Sequence, residues 1–86
     1  MKPSAETLEQ DGEYVTDYSA DFNGESNSGT QTVYVYAGRV FFVDTFYDES
    51  KRSRVSGEGT VTKYLKEHSG DEEDFIAVKL RQMGLK

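Results

Sequence analysis

The sequence predicts an α+β domain, a small three-stranded antiparallel sheet with two C-terminal helices packed on one face. Three observations carry this prediction. Residues 13–22 alternate apolar and polar side chains, and residues 30–47 are rich in β-branched and aromatic types. Gly- and Asn-bearing segments separate those runs. From Val61 onward the apolar spacing becomes that of an amphipathic helix. The 86 residues allow one domain spanning 1–86. Ile, Leu, Val and Phe make up 18 of the 86 residues, just above the level of disordered chains. Aromatics at 13% tip the balance towards a folded core, because each ring buries much area.

Residues 1–11 form either a short helix, with Ser4 as N-cap, or a frayed tail. Leu8 is the single large apolar residue of residues 3–10, so the segment has little with which to anchor itself. Gly12 ends it. In the first strand, Tyr14, Thr16, Tyr18, Ala20 and Phe22 point one way, and Val15, Asp17, Ser19 and Asp21 the other. One face is aromatic and the other largely acidic. Residues 23–29, with two Gly and two Asn, read as a long hairpin loop.

The hairpin of residues 30–47 turns at Ala37-Gly38. A three-residue loop with Gly38 left-handed puts Val33, Val35, Phe41 and Val43 on one face. It puts Tyr34, Tyr36, Val40, Phe42, Asp44 and Phe46 on the other. A two-residue loop shifts the pairing by one and mixes these sets. Residues 48–53 are a charged turn, and Gly57 and Gly59 weaken any strand over 55–60. Val61, Tyr64, Leu65 and His68 then share a helix face, with Thr60 as N-cap and Gly70 past the end. A second helix starts at Asp71, with capping-box spacing from Ser69 to Glu72 and Gly84 as its stop. Its stripe is Phe75, Ile76, Leu80 and Met83, although Phe75-Ile76-Ala77-Val78 also fits a strand.

Composition excludes several chemistries. With no Cys there is no disulfide, thiolate metal site or cysteine nucleophile. A single His argues against zinc enzymes and His-based relays. No spacing singles out a catalytic carboxylate pair, so the expectation is a non-enzymatic protein with no cofactor. No apolar run approaches the roughly 18 residues of a membrane span. The start Met1-Lys2-Pro3-Ser4 lacks the apolar stretch of a signal peptide, which reads as cytoplasmic.

The net charge of -6 is unevenly spread. Residues 1–50 hold ten acids and two bases, whereas residues 51–86 hold six acids and eight bases. The run Asp71-Glu72-Glu73-Asp74 suits the positive end of a helix dipole better than a metal, because consecutive helical residues diverge. His68 sits where the dipole favours a charged imidazole, and a structural role follows. Gly57-Glu58-Gly59-Thr60 lacks the Gly-Lys-Ser/Thr ending of a phosphate loop.

Two surfaces remain as binding candidates. Asp17, Asp21, Glu25, Asp44, Asp48 and Glu49 are interleaved with Tyr14, Tyr18, Tyr34, Tyr36 and Tyr47. Carboxylates accept paired hydrogen bonds from Arg, and tyrosines offer stiff contact area. Tyr34 and Tyr36 with those acids form an expected partner-binding face for a basic protein. The same acids also serve as solvated edge protection. The alternative is nucleic-acid contact by Lys51, Arg52 and Arg54, supported by Lys63 and Lys66. An exposed Tyr/Phe face fits a homodimer seam equally well.

The order of elements, the excess of acid and the polar loop after the first strand resemble small phage anti-CRISPR proteins that block Cas9-type effectors. The matching segments are residues 13–22, 23–29, 32–37, 40–47, 61–68 and 71–83. No residue motif matches, so no family residue is carried over. The resemblance implies an inhibitor whose carboxylates occupy a basic DNA-binding site as a DNA mimic. Its partner would be a CRISPR effector or another nucleic-acid-binding protein, in the host cytoplasm if the chain is phage-encoded.

Overall fold

The computed structural model describes residues 2–21, 28–48, 50, 52–68 and 75–84. The elements run α1 (Ala5–Asp11), β1 (Glu13–Asp21), β2 (Ser28–Tyr36), β3 (Arg39–Phe46), β4 (Arg54–Thr60), α2 (Val61–Glu67) and α3 (Phe75–Gln82). The strands form one antiparallel meander in the order β1-β2-β3-β4. The α+β class is as expected, but the sheet has four strands rather than three. Gly57 and Gly59 do not prevent β4. A bulge against β3 between Arg39 and Phe41 takes up the irregularity, and Gly59 sits there at φ 88.

The hairpin closes with the two-residue loop, Ala37-Gly38, at φ 52 and 74. Positive φ at both central residues is the type I′ geometry that matches strand twist. Tyr36 therefore faces Arg39, Val35 faces Val40 and Val33 faces Phe42. The three-residue register is overturned, and Phe41 and Val43 lie with Tyr34 and Tyr36 instead of with Val33 and Val35. A backbone bond from Val61 N to the Gly38 carbonyl, 3.0 Å, ties the start of α2 to this turn.

Both faces of the sheet are covered. On one, Val15, Val33, Val35 and Val40 pack with Val61 and Tyr64 of α2 and Ile76, Ala77 and Leu80 of α3. Thr60 caps α2, accepting from Lys63 N, and α3 is helical throughout residues 75–82. Its buried stripe includes Ala77, whereas Phe75 stands 54% exposed. The proposed cap of α3 over residues 69–74 lies outside the described residues.

On the other face lies α1, capped by Ser4, whose side chain accepts from Thr7 N. Leu8, expected to anchor little, is fully buried with Phe41 and Val43, and Ala5, Tyr34, Tyr36 and Val55 pack around it. One leucine suffices because the hairpin register delivers a ready apolar socket. In β1 a bulge between Tyr14 and Thr16 breaks the strict alternation. Tyr14 joins Tyr34 and Asp17 on the α1 face, while Val15 turns into the opposite core.

Two stability predictions follow from these placements. Leu8→Ala should cost about 2–4 kcal/mol in urea unfolding, since it empties the centre of the α1 core. Ala37→Asn should stabilise by about 1 kcal/mol, because a left-handed alanine carries a steric penalty that Asn largely escapes. A loss of stability in that variant would contradict the turn geometry.

Candidate functional site

The acids of the predicted face do not behave alike. Asp44 is buried, 4% exposed, and stands in a row that crosses the whole sheet. Tyr18, Gln31, Asp44 and Arg54, one from each strand, are direct cross-strand neighbours on the α2–α3 face. The Tyr18 hydroxyl donates to Gln31 Oε1. Gln31 Nε2 donates to Asp44 Oδ1 at 2.8 Å, and Arg54 donates to Asp44 Oδ2 through Nε at 2.9 Å and through its terminal nitrogen at 2.8 Å. Both carboxylate oxygens are therefore satisfied internally. The Arg54 guanidinium also lies 5.6 Å over the Phe46 ring, and Phe75 packs edge-on against Tyr18. Asp44 is thus corrected from a contact residue to a structural one: the register turned it inward, and burial demanded partners.

The remaining predicted residues divide. Asp17 and Asp21 are exposed on β1. Asp48 is exposed and accepts from Ser50 N at 3.0 Å and Ser50 Oγ at 2.7 Å, fastening the turn after β3. Tyr34 and Tyr36 are half-buried against α1, so their inner edges belong to the core. Glu25 and Glu49 lie outside the described residues, as does Lys51.

Asp17 is the centre of a more specific group. It accepts a hydrogen bond from the exposed Tyr14 hydroxyl, and Tyr14 packs edge-on against Tyr34 at 6.2 Å. The bond to Asp17 holds the Tyr14 phenol above its ordinary titration range, with some desolvation adding to it. Tyr34 is raised as well, by desolvation and then by the negative charges of Glu9 and Asp17. Glu9 of α1 and Asp17 of β1 thus act on one tyrosine cluster. Residues 5–21 hold six acids (Glu6, Glu9, Asp11, Glu13, Asp17 and Asp21) and no base, which equals the net charge of the whole chain. All six are exposed. Glu6, Glu9 and Asp11, which the expected partner-binding face left out, were legible as that base-free run, whereas Glu13 stands opposite Val35 on the α2–α3 side of the sheet.

The basic alternative is dispersed. Arg54 is committed to Asp44 and Phe46. Arg52 lines a hollow of about 480 Å³ together with Glu6 and Glu9. The Lys63 side chain passes close to Gly59, and Lys66 is exposed on α2. His68 caps the C-terminus of α2 and stacks on Tyr64 at 4.1 Å. Among the described residues no group of three His, Cys, Asp or Glu side chains is placed to hold a metal ion, and residues 71–74 lie outside them. No helix among the described residues is long and apolar enough to cross a membrane. In comparisons with known proteins, no family model, curated protein or solved structure matches the chain.

The two kinds of acid separate in a stability measurement. Asp44→Ala should cost about 2–3 kcal/mol, the loss of charge-assisted hydrogen bonds at a buried carboxylate. Asp21→Ala, at an exposed position, should stay within about 0.5 kcal/mol. Equal effects in chemical denaturation would contradict the division.

Proposed function

We propose that the chain is a non-enzymatic binding protein whose acidic α1–β1 face occupies a basic, nucleic-acid-handling surface of a partner protein and keeps nucleic acid out. One observation carries the reading: six exposed acids without a base, equal to the entire charge surplus, sit on two adjacent elements. Had the acids served solubility alone, nothing would require their gathering around exposed aromatic area. Tyr14, 52% exposed, and the rim of Tyr34 lie in the middle of that charge. Carboxylates steer a basic partner into place, and the tyrosines supply contact area at low entropic cost. The contact set is Glu9, Tyr14, Asp17, Asp21 and Tyr34, with Asp44 removed from it. A Cas9-type effector is the partner class that the resemblance in element order and acidity implies.

The test is displacement of labelled DNA from a guide-loaded Cas9-type effector, with other basic DNA- and RNA-binding proteins in parallel. The chain should lower bound DNA, and added salt should weaken the effect. Glu9→Lys and Asp17→Lys should each weaken inhibition by about tenfold or more, while the folded state persists. Displacement that ignores both reversals would refute the acidic face. Failure to displace nucleic acid from every partner tried would refute the mimicry.

A further inference from the structure

The edge of the sheet opposite β1 has a chemistry of its own. Where β3 meets β4, Lys2, Arg39, Phe41, Gly57 and Gly59 line a groove of about 420 Å³. It continues past Lys2, Arg39 and Phe41 into a hollow of about 300 Å³ beside Tyr36. These volumes fall within the range of small-molecule sites, roughly 300–1,000 Å³. Among the described residues the lining holds two cations and no carboxylate, on a chain whose net charge is -6. Arg39 is exposed and makes no ion pair among the described residues. The Lys2 ammonium is held at the groove by a hydrogen bond to the Val55 carbonyl, 3.2 Å, which leaves its charge unneutralised.

The floor is the Phe41 ring, packed beneath with Leu8. Gly57 stands directly across from Phe41 in the β3–β4 pairing. A Cβ at that position would lie 3.4 Å from the ring, so any larger side chain would occupy the space above it. Glycine keeps that space open to the groove. Phe41 itself is buried, 7% exposed, so the residue that weakens β4 as a strand leaves the edge of an aromatic ring, not its face, open beside two cations.

We propose that this groove binds a small organic anion, a phosphate or carboxylate carried on a flat ring. The anionic group lies between Lys2 and Arg39, whose guanidinium presents paired donors to two oxygens at once. The ring lies in the space that Gly57 leaves, its face against the open edge of Phe41. This site is separate from the acidic face and does not depend on its function.

Amide-resolved NMR titrations of the full chain test the proposal, with adenosine monophosphate, naphthoate and inorganic phosphate as probes. At least one ring-bearing anion should shift the Arg39, Phe41, Gly57 and Gly59 signals saturably, and the tighter of the two identifies phosphate or carboxylate as the preferred group. Inorganic phosphate should bind about tenfold more weakly, lacking the ring. Arg39→Gln, at an exposed position, should keep the folded spectrum and weaken binding about tenfold. Gly57→Val should exclude the ring, and Lys2→Gln serves in its place if that variant does not fold. Asp17→Lys should leave the binding unchanged. The proposal is overturned if neither ring-bearing anion gives saturable shifts, if inorganic phosphate binds as tightly as both, or if Arg39→Gln has no effect.

Discussion

Two residues with positive φ, Ala37 and Gly38, decide which side of the sheet every residue of β2 and β3 occupies. Side chains alternate with a period of two, so a slip of one position moves a whole set from one face to the other. The two-residue turn gives Val33 and Val35 to the α2–α3 core, with Val40 and Phe42 opposite them. It gives Tyr34, Tyr36, Phe41 and Val43 to α1. It also turns Asp44 inward, where Gln31 and Arg54 complete its hydrogen bonding. The α2 backbone is fastened to the Gly38 carbonyl, so the turn also positions the helical half.

The meander then converts an asymmetry along the chain into one across the sheet. Strand order follows sequence order, so β1 and β4 are opposite edges. The base-free segment of residues 5–21 becomes the acidic side, α1 and β1. Lys2, although next to that segment in sequence, reaches the β4 edge and joins Arg39 there. The β1 edge is thus acidic, while at the β4 side Lys2 and Arg39 stand together and Arg52 shares a hollow with Glu6 and Glu9 of α1. Acids along β1 also discourage edge-to-edge pairing between copies.

Much of this was legible in the residues, and the failures have identifiable causes. Strong local signals held: the Ser4 and Thr60 caps, the hairpin turn at Ala37-Gly38, the helical spacing from Val61 and the Gly84 stop. The faces of the hairpin were not legible, because loop length is set by whether Ala37 accepts a positive φ, and alanine rarely does. That single ambiguity propagated into the placement of Asp44. The fourth strand was hidden because Gly57 and Gly59 have roles in close packing and a bulge rather than in strand propensity. Leu8 was undervalued because burial depends on the socket that awaits a side chain, and the buried residues of that socket, Phe41 and Val43, are more than thirty positions away. Of the acidic face, Asp17 and Asp21 could be read from the sequence. Tyr14 could not be assigned beside Asp17, since the bulge that brings them together leaves no mark in the composition.

Through-space NMR contacts between β2 and β3 test the register most directly, because every assignment of face rests on it. The structure predicts contacts of Val35 with Val40, Val33 with Phe42, and Gln31 with Asp44. Contacts of Val35 with Phe41 and of Val33 with Val43 would instead mean the three-residue loop. They would return Asp44 to the face of Tyr34 and Tyr36 and contradict the division between structural and exposed acids.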